Sequence, residues 1–237
     1  MLYKDMSVLF ISEIGMNYNG NFSLCYELIK QAKYSGADIV KFQLSWRDNP
    51  GEINQLDDSK IKQLHEWAEY FEIKIMFSII SDKAFDTIKK FKPIQLKIAS
   101  RTLKENMSLA EKIIDLKIKT FVSLGMWEDK KNLPFKTNNN LSYLWCESKY
   151  PTDNNDLSGK FPKNFNEDHI TGYSDHSIGI EMCLLAISRN AKIIEKHFTL
   201  DKSNTTIRDH ALSATPNEFL QMTRIGKDIF NKLKLNI

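Results

Sequence analysis

Asp38-Ile39-Val40-Lys41-Phe42-Gln43 reads as a buried strand that ends on two polar side chains. Successive strand residues point to opposite faces, so Ile39, Lys41 and Gln43 share one face and Val40 and Phe42 the other. The same pattern recurs along the chain. Val8-Leu9-Phe10-Ile11-Ser12-Glu13 closes on Glu13, and Ile94-Gln95-Leu96-Lys97-Ile98 carries Lys97 near its end. Ser174 and His176, then Glu195 and His197, recur two residues apart in later apolar runs. An unpaired interior charge costs several kcal/mol, against the roughly 5–15 kcal/mol that keeps a domain folded. Five such runs with polar ends of one parity are therefore expected to surround something charged.

Amphipathic stretches separate these runs. Residues 23–34 put Leu24, Leu28, Ile29 and Ala32 on one helical face, with Ser23 as cap and Gly36 as stop. Residues 58–71 put Ile61, Leu64, Trp67 and Ala68 inward. Further on, strands are predicted over 74–80, 94–99, 119–125, 141–146, 170–176 and 192–198, with helices over 81–90, 105–116, 179–189 and 216–233. Pro93 cannot extend the helix over 81–90, and Pro216 suits a first helical turn. The link 126–140, rich in Lys and Asn and holding Pro134, leaves room for a short helix at most. Eight strands alternating with helices predict an α/β fold of the (β/α)8 TIM barrel type, for which about 250 residues is typical; a doubly wound open sheet is the alternative. In a barrel the C-terminal strand ends meet on one face, where active sites are built.

Composition narrows the classes. The chain has 237 residues, 42% hydrophobic, enough for one large domain. Its net charge of +3 comes from 33 basic and 30 acidic residues with no basic block longer than a lysine pair, which gives nucleic-acid binding no support. No apolar run approaches the roughly 20 residues of a membrane helix, and Glu13 arrives too soon for a signal-peptide core. Cys25, Cys146 and Cys183 are far apart and fit reduced, buried thiols. A soluble, cytoplasmic protein is expected.

The polar strand ends suggest specific chemistry. Two imidazoles ending adjacent strands, His176 and His197, can share a divalent metal, and Glu13 and Glu195 on the same rim favour a cation there. A pair of hydrogen-bonded core histidines is the alternative. Lys41 and Lys97 suggest a phosphate or a phosphorylated carboxylate, with hydroxyl donors from Ser100 and Ser174. A structural Lys41–Glu13 ion pair, or a Schiff base on one lysine, are the other readings. Asn17-Tyr18-Asn19-Gly20 reads as a turn, and Trp46, Trp67, Trp127 and Trp145 as core and rim filler.

These segments resemble the sialic acid synthase family, the N-acetylneuraminate synthases. The resemblance is carried, in order, by Ser12-Glu13-Ile14-Gly15-Met16-Asn17-Tyr18-Asn19-Gly20, Gly36-Ala37-Asp38-Ile39-Val40-Lys41-Phe42-Gln43, Lys97-Ile98-Ala99-Ser100, Gly172-Tyr173-Ser174-Asp175-His176, Ile194-Glu195-Lys196-His197-Phe198-Thr199-Leu200-Asp201 and Asp209-His210. It implies a barrel that condenses phosphoenolpyruvate with an acetamido sugar aldehyde, N-acetylmannosamine or a relative, to a nine-carbon 2-keto-3-deoxy sugar acid and phosphate. By the same resemblance His176 and His197 hold a divalent metal, Mn2+ first and Mg2+ or Co2+ as alternatives. Lys41, Lys97, Ser100 and Ser174 would bind phosphoenolpyruvate, and Glu13, Gln43, Tyr150 and Asp209 the sugar. Glu195 would orient or deprotonate water.

Several features depart from the family pattern. Members usually continue into an antifreeze-like domain that lends an arginine to the partner's sugar site; residues 1–237 are expected to be the barrel alone, so a homodimer or a separate chain supplying that domain is the matching partner expectation. The 44–59 connection is shorter, Ile79-Ile80-Ser81-Asp82 replaces a Thr-Pro strand end, and Arg208 and Trp145 stand where proline and histidine are common. A non-catalytic, ligand-binding barrel and another phosphoenolpyruvate-using condensing enzyme are the competing functions.

Overall fold

The computed structural model describes residues 7–44, 51–129, 131–165 and 167–235; Trp46 lies outside them. Eight parallel strands, β1 (Leu9–Gly15), β2 (Ile39–Leu44), β3 (Lys74–Ile79), β4 (Gln95–Ile98), β5 (Lys119–Ser123), β6 (Leu141–Trp145), β7 (Ile170–Asp175) and β8 (Ile193–His197), close in sequence order into a barrel. The helices are α1 (Leu24–Tyr34), α2 (Asp58–Tyr70), α3 (Asp82–Lys89), α4 (Ser100–Glu105), α5 (Met107–Ile114), α6 (Asn154–Leu157), α7 (Glu181–Ser188) and α8 (Pro216–Leu233). The TIM-barrel expectation therefore holds and the open sheet is excluded. Among the described residues no helix is long and apolar enough to cross a membrane.

Strand parity divides the apolar residues into two bodies. Phe10, Val40, Phe42, Phe77, Leu96, Ile98, Val122 and Ile194 face outward into the layer shared with the helices. Leu9, Ile11, Ile39, Met76, Phe121, Leu144 and Ile193 instead form a plug across the barrel's middle. Polar side chains begin only above and below it. Closure pairs Glu13 with both Lys41 of β2 and His197 of β8, and Ser174 of β7 with Glu195 of β8.

Four local expectations are corrected. The helix predicted over 105–116 is α5, which starts at Met107, and an unpredicted short helix, α4, precedes it; the two meet at Asn106, whose side chain accepts from the Leu109 amide at 3.1 Å. Asparagine offers the backbone a cap in place of a continuing turn, which is why it favours helix starts over helix interiors. Ser23 adopts a helical conformation and makes no side-chain cap, and Cys25 takes the buried position expected of Leu24. Trp67 is only partly buried, stacked on Phe22.

Gly172 marks a close approach where the pairing of β6 and β7 shifts. A Cβ there would stand 2.4 Å from Leu144 Cδ2 and 2.7 Å from both the Cβ and the carbonyl oxygen of Ile193. Backbone cannot yield as a side-chain tip can, so Gly172→Ala is expected to destabilise by about 1–3 kcal/mol. A lower urea midpoint at unchanged slope would show it.

Candidate active site

The C-terminal strand ends surround a cavity of about 260 Å3. Its floor is ionic. Lys41 Nζ lies 2.6 Å from Glu13 Oε2 and 3.7 Å from Glu195 Oε1, while Lys97 Nζ donates to Glu195 Oε1 at 2.7 Å. Ser174 Oγ donates to the same oxygen at 2.8 Å, Gln43 Nε2 to Glu13 Oε1 at 2.8 Å, and Lys41 Nζ to Ser78 Oγ at 3.1 Å. Two ammonium groups thus meet two carboxylates, and the Lys41–Glu13 ion pair given as an alternative reading of the sequence is present. A buried ion pair is weak evidence for stability, since desolvation offsets most of its attraction. Four charges at the base of an open cavity are better suited to exchanging partners with an anionic ligand.

The electrostatics are uneven. Burial would raise the Glu195 carboxyl, but Lys41 and Lys97 outweigh it and bring it down to about 2. Burial lifts the Glu13 carboxyl above its ordinary value, opposed by Lys41 and reinforced by Glu195. Burial also pulls the Lys97 ammonium down despite Glu195. Glu195 Oε2 is buried without a hydrogen-bond partner.

Hydroxyls arch over the lysines. Ser78 on β3, Ser100 at the start of α4, Ser123 on β5, Ser148 after β6 and Ser174 on β7 all line the cavity. Ser100 Oγ is 3.1 Å from Ser148 Oγ. Of these, Ser78, Ser123 and Ser148 were not among the predicted residues. Strand parity could have found two of them, because Ser78 and Ser123 follow the plug residues Met76 and Phe121 by two. Ser148 lies in a loop, where no periodicity applies.

Above the floor stand the imidazoles of His176 and His197, ring centroids 5.7 Å apart. His176 Nδ1 is 2.7 Å from the Glu147 carbonyl oxygen, which can only accept, so the proton sits on Nδ1 and Nε2 carries a lone pair. Both rings are held down to about 4: His176 by burial and then by His197, His197 by burial and by Lys41 against the pull of Asp209. They are neutral at neutral pH, as metal ligation requires. The Tyr150 ring packs 4.1 Å from the His176 ring, and the Arg208 guanidinium lies 4.6 Å over the Tyr150 ring. Asp209 Oδ2 is 3.9 Å from His197 Nδ1, a buried atom with no hydrogen bond. Among the described residues no group of three or more His, Cys, Asp or Glu is disposed to hold a metal. Two neutral imidazoles beside unpartnered buried acceptors fit a cation whose other positions go to water or substrate.

A second ion pair supports this rim from behind. Asp175 Oδ2 and Lys196 Nζ, both fully buried, meet at 2.7 Å between β7 and β8. Asp175 also accepts from Tyr173 OH, from the amide and hydroxyl of Ser177 and from Cys183 Sγ, and Lys196 donates to the Ser177 carbonyl. Each member is the sequence neighbour of one histidine. Asn17, predicted as a plain turn residue, is buried and ties the β1 loop to the Phe198 carbonyl at 2.9 Å and to Ser213 at 3.0 Å.

Every residue predicted for the site, Glu13, Lys41, Gln43, Lys97, Ser100, Tyr150, Ser174, His176, Glu195, His197 and Asp209, lines this one cavity. The NeuB family model matches residues 51–235. An uncharacterized protein of Methanocaldococcus jannaschii is 34% identical over 92% of this chain and 70% of its own length. An N,N'-diacetyllegionaminic acid synthase of Campylobacter jejuni is 30% identical over 89% of this chain and 72% of its own. Among solved structures, an N-acetylneuraminic acid synthetase from Leptospira borgpetersenii superposes with a TM-score of 0.80 at 26% identity, covering 96% of this chain and 85% of that one.

Proposed function

The chain belongs to the NeuB family, and from that premise we propose that it condenses phosphoenolpyruvate with an acetamido sugar aldehyde, giving a sialic acid-like 2-keto-3-deoxy sugar acid and phosphate. The observation that carries this reading is the ionic floor beneath two neutral imidazoles in one cavity.

In the proposed reaction the methylene carbon of phosphoenolpyruvate forms a bond to the aldehyde carbon, whose oxygen takes up a proton. Water adds to the carbon bearing phosphate, and the C–O bond to phosphate then breaks. Lys41, Lys97, Ser100 and Ser174 bind the carboxylate and phosphate and stabilise the charge on the departing group. These anions compete with Glu195 for the two lysines, which frees its carboxylate to orient the attacking water. Glu13, Gln43, Tyr150 and Asp209 take the sugar, and Glu13, with its raised pKa, is suited to exchange a proton at the aldehyde oxygen. A divalent ion, Mn2+ or else Mg2+ or Co2+, held by His176 and His197 would polarise the aldehyde as a Lewis acid.

The test is to incubate the pure protein with Mn2+, phosphoenolpyruvate and a panel of acetamido sugars and to assay phosphate. Sugar-dependent phosphate release is expected, lost on chelation and lowered about 100-fold or more in His176→Ala, since Lewis-acid stabilisation is worth several kcal/mol. No release with any sugar would end the reading.

A further inference from the structure

At the other end of the barrel lies a second cavity of about 260 Å3, framed by the N-terminal ends of β5 to β8. Lys119, the first residue of β5, donates from Nζ to Ser142 Oγ on β6 at 2.8 Å. Thr171 on β7 and Lys192, just before β8, complete the arc, and Thr171 Oγ1 is buried with no hydrogen-bond partner. In the catalytic cavity Glu13 and Glu195 stand against the buried lysines. Here, among the described residues, no carboxylate lies within ion-pair distance of the half-buried Lys119, whose ammonium lies 5.5 Å from the Phe121 ring. Burial alone lowers its ammonium pKa, with no charge acting against it. Asp38, also in the cavity wall, is committed to the Phe10 amide at 2.8 Å, and its nearby cations are Lys227, Lys74 and Lys33.

An ammonium has three donors, and Ser142 engages one of them. Hydroxyls at Ser142 and Thr171 and a second ammonium at Lys192 line the same space. We propose that this cavity binds a small tetrahedral oxyanion, phosphate or sulfate, through Lys119, Ser142 and Thr171. The apolar plug separates it from the catalytic cavity, so the anion acts as a ligand of the fold and takes no part in the reaction. Its binding stabilises the folded chain by mass action.

Amide NMR resolves the two ends of the barrel. Titrating the full chain with inorganic phosphate, and separately with sulfate, is expected to give saturable shifts at residues 119, 142 and 171. Lys119→Met should weaken this binding at least about tenfold, the loss of one charge-assisted hydrogen bond, and Thr171→Val should weaken it less. Without added anion, Lys119→Met should unfold at a temperature no lower than wild type, because a half-buried ammonium without a counter-ion is gone. Lys119→Gln serves as the second variant if the methionine protein misfolds. Phosphate shifts confined to residues 97 and 174 would overturn the inference while leaving the proposed reaction standing. Shifts at the lower end that persist unchanged in both Lys119 variants would overturn it as well. Silence at the lower end with both anions at 20-fold above the roughly millimolar range of weak anion binding would do the same.

Discussion

Glu195→Gln is expected to destabilise the fold by about 3–5 kcal/mol, the cost of leaving a buried charge without its partner. Glu195 Oε1 receives Lys97 at 2.7 Å and Ser174 at 2.8 Å and lies 3.7 Å from Lys41. Lys97 is 2% exposed, so water at the cavity floor replaces the lost carboxylate only in part. Lys41 keeps Glu13 and suffers less. A carboxamide preserves the shape and one acceptor oxygen while removing the charge and turning the other oxygen into a donor. Urea unfolding of the two proteins measures the difference directly. Phosphoenolpyruvate, by restoring negative charge beside Lys97, should recover part of the loss in the variant. A change below about 1 kcal/mol would mean that Lys97 does not depend on Glu195, and the account of the floor would be wrong.

The second large effect belongs to Asp175. Asp175→Asn leaves Lys196, 0% exposed, beside a neutral amide, again at about 3–5 kcal/mol. Replacing both, as Asp175→Leu with Lys196→Met, should recover most of that stability, because an apolar pair of similar volume removes both desolvation penalties. Ser177 and Tyr173 still lose their acceptor in the double variant, so the backbone on either side of His176 is no longer fixed. Mn2+ affinity by calorimetry is therefore expected to stay about 10–100-fold weaker in the double variant than in wild type, the usual effect of losing support behind a metal ligand. Recovery of affinity together with stability would reduce the pair to a packing element. No Mn2+ binding by wild type would instead count against His176 and His197 as ligands.

Much of this architecture was legible from period-two alternation. Lys41, Lys97, Ser174 and Glu195 point inward because the strand pleat admits only two directions, and eight alternations close a barrel. Pairing was not legible, because which carboxylate faces which lysine depends on the stagger of neighbouring strands. The Lys41–Glu13 pair, only an alternative in the sequence, is direct: the two are register partners. Loop geometry was equally hidden. Tyr150 was placed only by family resemblance, and its packing between His176 and Arg208 follows from a loop that crosses the mouth. The helix break at Asn106 was readable in principle, from a capping residue three positions before a buried leucine.

The plug of Leu9, Ile11, Ile39, Met76, Phe121, Leu144 and Ile193 makes the upper cavity a blind shaft. Ser174 and Glu195 sit two strand residues below His176 and His197, so whatever the lysines hold lies beneath whatever the imidazoles and Tyr150 hold. With one opening, the deeper reactant has to load first, and the shallower one seals it in. Steady-state kinetics should then follow a compulsory sequence, with phosphoenolpyruvate leading and the sugar behaving as a lid.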